Sequence, residues 1–457
     1  MPFLIDQWHE SCKFNHFISM KTSALLPYLF LTTTALLFLQ CNSASQEYED
    51  QEEMVDVAYI IPNYEQPNQL SAKIAVTAAK DYAQAGKIIT YGQYIFINRP
   101  MEGIHVVDNS NPSNPVNMHF ISIPGSLDMS IIDNHLYTDM YSALVVFSIE
   151  DITAPELLSD FIVEDVFYYD PYIHLPETID ESTPYRNYEP IDNTQGIVTS
   201  WRVEIRQEPL EDQIMYAIDR MEIALEATTS SADQPQTQTS TAGSMTRFLP
   251  VDNYLYTINF NELILFAIGS DYRPSRFARV DTGTQAETLF LLNDLLFVGS
   301  TTGMLMYDVA TASNPEYLNS IEHFRSCDPV VADSAYAYVT LRGGTNCFTD
   351  LNELQIIDIQ NPQEALEVVA RQVLFNPHGL AIHNDHLIVC DGTAGIKVLD
   401  VSDRTNPRII TTENIPFAYD IIVDYPNATV VGESVIYQYD LSNLPNMTKV
   451  AELPLSN

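Results

Sequence analysis

The chain has 457 residues with 46% hydrophobic content, enough apolar material for one very large domain or two or three ordinary ones, which excludes a wholly disordered chain. The 61 acids against 21 Lys and Arg give a formal charge of −40, which repels nucleic acid and anionic membrane surfaces and leaves cations or a basic partner as the charge-matched ligands. With 26 Tyr and 20 Phe against 16 Gly, the composition leans toward β-strands.

In chain order, residues 1–45 read as a leader. MKTSALLPYLFLTTTALLFLQC (20–41) has one basic residue, an apolar run and a Cys, the layout of a signal peptide, and the run is too short and too broken by Pro27 and Thr residues for a comfortable membrane span. Met20 is the better start, which makes residues 1–19 an over-called start. Cys41 resembles the lipidated Cys of bacterial lipoproteins, although Gln40 stands where that pattern has a small residue. Plain secretion with later cleavage is the alternative. EYEDQEEMVD (47–56) carries six acids in ten residues, and 46–70 reads as an acidic, solvated tether. SAKIAVTA (71–78) then offers a strand to close a ring.

From residue 86 the chain repeats. GIHVVDNSNPSNP (103–115), LMYDVATASNP (305–315), LQIIDIQNP (354–362) and IKVLDVSDRTNP (396–407) each end an apolar run and then turn. Aligned on the residue ending each run, the copies fall at Asp108, Ser148, Ala267, Asp308, Asp358, Asp400 and Asp440, at intervals of 40, 119, 41, 50, 42 and 40 residues. Within one copy, LDMSII, HLYTDM, ALVVFSI and ELLSDFIV are four short strands separated by turn signals. A four-stranded antiparallel unit of about forty residues, repeated, is a β-propeller blade. The expected fold is all-β: a propeller over 71–457 of seven four-stranded blades, with six or eight also compatible, interrupted by one long insertion at 164–245. The Asp accepts backbone N–H bonds in its turn, and the prolines stop strand pairing. Calcium at these turns is the rival reading of the same residues.

These copies resemble the LVIVD repeat, a β-propeller repeat common in exported bacterial proteins of the Bacteroidetes type. GQYIFINRPMEGIHVVDNSNP and the CDPVV…YVTLRGGTNC stretch also look like that family. The resemblance, over about 86–457, implies a propeller and export as a lipoprotein of the outer membrane, and it supplies no catalytic residues.

The insertion holds Tyr-, Pro- and acid-rich sequence, then the strand-like GIVTSWRVEIRQEP with Trp201, a short helix candidate at 212–227 and a low-complexity loop at 228–244. It reads either as a functional excursion or as a lid over strand ends. Cys327 and Cys347 flank one hairpin whose folding brings them together, so a disulfide is expected in an oxidising compartment. Cys390, inside LIVCD, reads as a buried thiol. His383 and His386 flank a turn, which makes a metal pair the weaker reading of HNDH.

The first strand of each propeller blade lines the central channel. At its start the copies place Lys87, Asp128, Arg247, Glu287, Asp328, His378 and Asp420, seven polar groups around one mouth. They either converge on a ligand or a single cation such as calcium, or they are solvated and bonded to neighbouring blades. No GxSxG elbow, P-loop or HExxH is present. The leading expectation is a monomeric, surface- or periplasm-tethered scaffold, without cofactor, that binds protein or glycan and not nucleic acid, anchored to the membrane by its N-terminal lipid. The rival is a propeller hydrolase or lyase acting at the channel mouth.

Overall fold

A computed structural model describes residues 54–81, 86–158, 185–209, 241–322, 329–343, 351–433 and 435–454. Contacts gather 56–206 and 220–457 into one compact unit, and 1–55 with 207–219 into another; the repeated sheets all belong to the first. The leader with Cys41, the pair Cys327 and Cys347, Asp328, and the helix candidate at 212–227 all lie outside the described residues.

The regular structure of the described residues is almost all strand, with one five-residue α-helix, Pro67–Ser71, and one 3-10 turn, Asn193–Gln195. Among the described residues seven antiparallel sheets follow one another, each with four consecutive strands, and the first carries one further strand on each edge. Their first strands are Ile88–Tyr91, Met129–Ile132, Phe248–Val251, Ala286–Leu292, Val330–Ala332, Leu380–His383 and Asp420–Asp424. Each of these strands lies beside the next, and the seventh lies beside the first. The middle strands are apolar on both faces, as in ALVVFS (143–148), where all but Ser148 are buried. Each sheet therefore packs against two neighbours. One apolar cluster fills each seam: Ile104 with Met129, Tyr137 with Phe266, Tyr256 with Leu296, Phe297 with Val339, Tyr338 with Leu387, Ile388 with Tyr439, and Ile436 with Ile97 represent the seven.

The repeat's turn chemistry explains its sequence. The carboxylates of Asp108, Asp308, Asp358, Asp400 and Asp440 each accept the N–H two residues on, at 2.8–2.9 Å. The residue after the repeat position donates to the first hairpin turn of its own sheet in every unit: Asn109 to Gln93, Ile149 to Asn134, Ile268 to Asn253, Val309 to Asp294, Ile359 to Ala335, Val401 to Asp385 and Leu441 to Pro426, at 2.7–3.0 Å. Asn134, Asn293 and Asn384 sit in those hairpin turns with φ of 59°, 52° and 52°, a conformation Asn tolerates. A bulge recurs between third and fourth strands in six sheets and twists the outer strand, which blunts an exposed edge.

Two segments differ from the sequence reading. Residues 54–65, read as part of the 46–70 tether, form a strand between Tyr185–Tyr188 and Ile197–Pro209. The acids end at Asp56, and VAYIIPNY buries Val57, Ala58, Ile60 and Ile61, with Ile60 against Val198 and Trp201. Ala75–Ala78 does not close the ring. It pairs with the outer strand Val116–Ser122 of the first sheet, because the seventh sheet supplies all four of its own strands.

Candidate functional site

Every inner strand starts at the same end of its sheet, so the repeat itself gathers the starting residues around the axis. Lys87 is within electrostatic reach of Asp128, Asp420, Arg247 and Glu287. Glu287 sits at a bulge between Ala286 and Thr288, which re-aims its side chain. His378, from the sixth sheet, stands beside Arg342, Phe417 and Tyr419. Among the described residues, no three or more His, Cys, Asp or Glu side chains lie together in a way that could hold a metal ion.

Two carboxylates at this mouth, Asp128 and Asp420, are engaged by the protein. Asp128 accepts Met129 N–H at 2.7 Å through one oxygen and Arg247 N–H at 2.7 Å through the other. Asp420 accepts Ile421 N–H at 2.9 Å and the Ser244 hydroxyl at 3.3 Å on a single oxygen. Behind Asp128, the buried Asp139 accepts Leu127 N–H and Asp128 N–H at 2.7 and 2.9 Å.

These acids hold a strap. The last residues of the insertion, read as a flexible loop at 228–244, are drawn into the axis. Thr241–Ala242 adds to the inner edge of the first sheet, opposite Thr90 and Ile89. Gly243, Ser244, Met245 and Thr246 are buried. Ser244 accepts Leu380 N–H from the sixth sheet at 2.9 Å, and Thr246 carbonyl accepts Leu289 N–H from the fourth at 2.8 Å. With Asp420 from the seventh sheet, Asp128 from the second and Phe248 opening the third, the seven residues 241–247 bond or lead into six sheets. A Cβ on Gly243 would lie 2.3 Å from Asp420 Oδ2, and one on Gly379 only 1.9 Å from Oδ1, so both glycines are needed for the carboxylate to approach.

Burial sets the electrostatics. It raises the carboxyl of Asp128, against the pull of Lys87 and of the two N–H donors. It lifts Asp420 to about 6 and Asp139 to about 7. Burial pushes the Lys87 amine down, against the pull of Asp128 and Asp420. Burial, then the Arg342 guanidinium, holds His378 to about 3. Arg342 Nη1 lies 2.6 Å from His378 Nδ1, so that nitrogen accepts. Burial also raises the thiol of Cys390, which is free.

Asp139 holds its proton more tightly folded than unfolded. Its contribution is therefore complete below about pH 4 and is lost as pH rises through about 7, whereas His378 acts in the opposite sense, losing stability as pH falls below about 6.5. The Asp139→Asn variant isolates the first effect while keeping an acceptor for the two N–H groups. Its stability relative to wild type, from urea unfolding, is expected to climb by up to about 4 kcal/mol between about pH 4 and pH 8. A difference that stays flat with pH contradicts this assignment.

His383 stacks on Tyr425 of the seventh sheet, with ring centroids 4.2 Å apart, and joins two sheets together. Sequence reasoning misses the strap, Asp139 and Arg342. The small-residue run TAGS, directly before the period resumes, is the one signal that points to close packing.

Seven four-stranded antiparallel units following one another around an axis place the chain among propeller-like all-β proteins. The LVIVD repeat model matches at residues 83–120 and 378–412, in the first and sixth units, so the chain carries that repeat at two places. No curated protein matches the sequence. Among solved structures it is similar to a protein from Lactobacillus plantarum (10% identity, 83% of this chain and 96% of that one, TM-score 0.49). It is also similar to the computationally designed Ika8 protein (9% identity, 83% and 90%, TM-score 0.46). A third is Hsv2p of Kluyveromyces lactis (9% identity, 69% and 76%, TM-score 0.35). Likeness at this level carries no argument about activity.

Proposed function

We propose that this protein is a seven-bladed β-propeller, exported and tethered at the outer membrane through a lipid on Cys41, that acts as a non-enzymatic binding scaffold for protein or glycan. Seven blades are supported by seven apolar seams, the last joining Ile422 and Ile436 to Ile88 and Ile97. Export is supported by the leader at 20–41, and a Cys327–Cys347 bridge fits the same compartment.

The observation that carries the binding reading is the engagement of the mouth. Asp128 has both oxygens committed to backbone donors, and Asp420 is bonded to the strap. A hydrolase or lyase at this place needs a carboxylate free to move a proton or hold a metal. Here the acids position a segment of the same chain, which leaves the faces and loops for ligands.

The test is metal content of the purified full chain by mass spectrometry after exhaustive dialysis, beside Asp328→Ala. The scaffold reading predicts no stoichiometric metal in either. A stoichiometric metal that disappears in Asp328→Ala overturns it in favour of the enzyme.

A further inference from the structure

At the far end of the same inner strands, on the seam between the first and seventh sheets, a cleft of about 260 Å³ opens to solvent. Thr90, Tyr94 and Asn109 line it from one side, and Asp424, Asn427 and Thr429 from the other. The two hairpin turns of these sheets place them. Asn109 is pinned because its N–H donates to Gln93 carbonyl at 2.8 Å, and Asp424 ends the inner strand of the seventh sheet opposite Asn427.

Four of these side chains are uncommitted. Asn109 Oδ1 is buried without a hydrogen-bond partner. Among the described residues, the side chains of Thr90, Asp424 and Asn427 also have no protein partner. Buried polar groups in folded proteins are normally satisfied, so an acceptor left bare at the wall of a cleft marks a place for a donor from outside. Thr429, by contrast, is tied to Gln438 at 3.1–3.2 Å and only shapes the wall.

The lining defines the ligand. Among the described residues no Lys, Arg or His borders the cleft, so an anion has no cation there to pair with. A carboxylate, two side-chain amides and a hydroxyl offer several acceptors and several donors within one small space, beside the apolar side chains of Ile95 and Ile422 that face this seam. That combination suits a compact molecule with hydroxyls around its edge and C–H groups on its face. The volume lies just below the usual range of about 300–1,000 Å³ for ligand sites, which suits a single ring and not a cofactor. A bare calcium ion fits less well, because Asp424 is the only charged side chain among the described lining residues and the space far exceeds an ion.

We propose that this cleft is a subsite for one neutral sugar residue, with the Asp424 carboxylate and Asn109 Oδ1 accepting from sugar hydroxyls, Asn427 donating or accepting, and Ile95 and Ile422 against the C–H face of the ring. The inference rests on the binding-scaffold reading and narrows it to glycan. Because the cleft straddles the seam between last and first sheets, an occupant ties them together and raises the unfolding temperature by simple linkage.

The experiment titrates the purified full chain with glucose, galactose, mannose and N-acetylglucosamine, and separately with calcium, by calorimetry and thermal unfolding. At least one sugar is expected to bind and raise the unfolding midpoint. Asp424→Ala is expected to weaken that binding at least about tenfold, the worth of one charge-assisted hydrogen bond, with Asn109→Ala weakening it less. Asp424 is exposed on a hairpin turn, so the unliganded variant is expected to unfold at the wild-type midpoint. Binding of none of the four sugars overturns the proposal, as does calcium binding lost in Asp424→Ala. Sugar binding that survives both variants removes the cleft and leaves the scaffold reading standing. A metal lost in Asp328→Ala removes the scaffold reading and leaves the cleft to be judged on its own variants.

Discussion

Gly379→Ala is expected to destabilise the protein by about 3 kcal/mol or more, the upper range for forcing an atom into a filled core. The added Cβ would lie 1.9 Å from Asp420 Oδ1 and 2.9 Å from Asp420 Cα. Neither partner can retreat easily. Gly379 donates to Tyr419 carbonyl and accepts Cys390 N–H, both at 2.9 Å, while Asp420 is held by Ile421 N–H and by Ser244. If the clash is with the carboxylate, the penalty depends on it. In an Asp420→Ala background the same substitution is expected to cost about 1 kcal/mol, because only the approach to the Asp420 backbone remains. Urea unfolding of the four proteins of this cycle measures the difference. Equal penalties in both backgrounds would show that Asp420 is not what Gly379 makes room for.

Asp128→Ala carries the second large effect, a loss of about 2–6 kcal/mol. Its two oxygens satisfy Met129 N–H and Arg247 N–H in a site where Asp128 is 2% exposed. Removing them leaves two donors without their acceptor, at about 1–3 kcal/mol each. Asp128→Asn retains one acceptor and is expected to cost roughly half as much. A readout beyond global stability is available, since only a loss at Arg247 frees the end of the strap. Urea unfolding gives the total, and amide exchange locates it.

Much of this organisation is legible in the sequence because it is local and repeated. The Asp that ends five of the seven third strands is followed two residues later by the N–H it accepts, so the turn at Asp400 and Ser402 can be read without knowing the fold. The positions of Lys87, Asp128, Arg247 and Glu287 around one axis follow from period alone, since the same point of every unit faces the centre. The strap is different. Ser244 meets Leu380 and Asp420 across separations of 136 and 176 residues, and nothing in TAGS names those partners. Asp139 escapes for a related reason: it lies in a second strand, HLYTDM, whose apolar alternation hides one buried acid. The strand at 54–65 is masked by the acids just before it, and only its second half, VAYIIPNY, has the apolar content that buries it.

Native-state hydrogen exchange across 241–247, in wild type and in Asp128→Ala, bears most directly on the central claim that the acids at the axis hold a segment of the same chain. The amides of Arg247 and of Leu289 and Leu380, which bond to or through the strap, are expected to exchange near the slowest rates in the wild-type protein. In Asp128→Ala, Arg247 is expected to exchange much faster while amides in distant sheets, such as Val401, keep their protection relative to the global stability. Fast exchange of Arg247 in the wild type, or no change at it in the variant, would contradict the strap and return the carboxylates at the axis to the pool of groups free for a ligand.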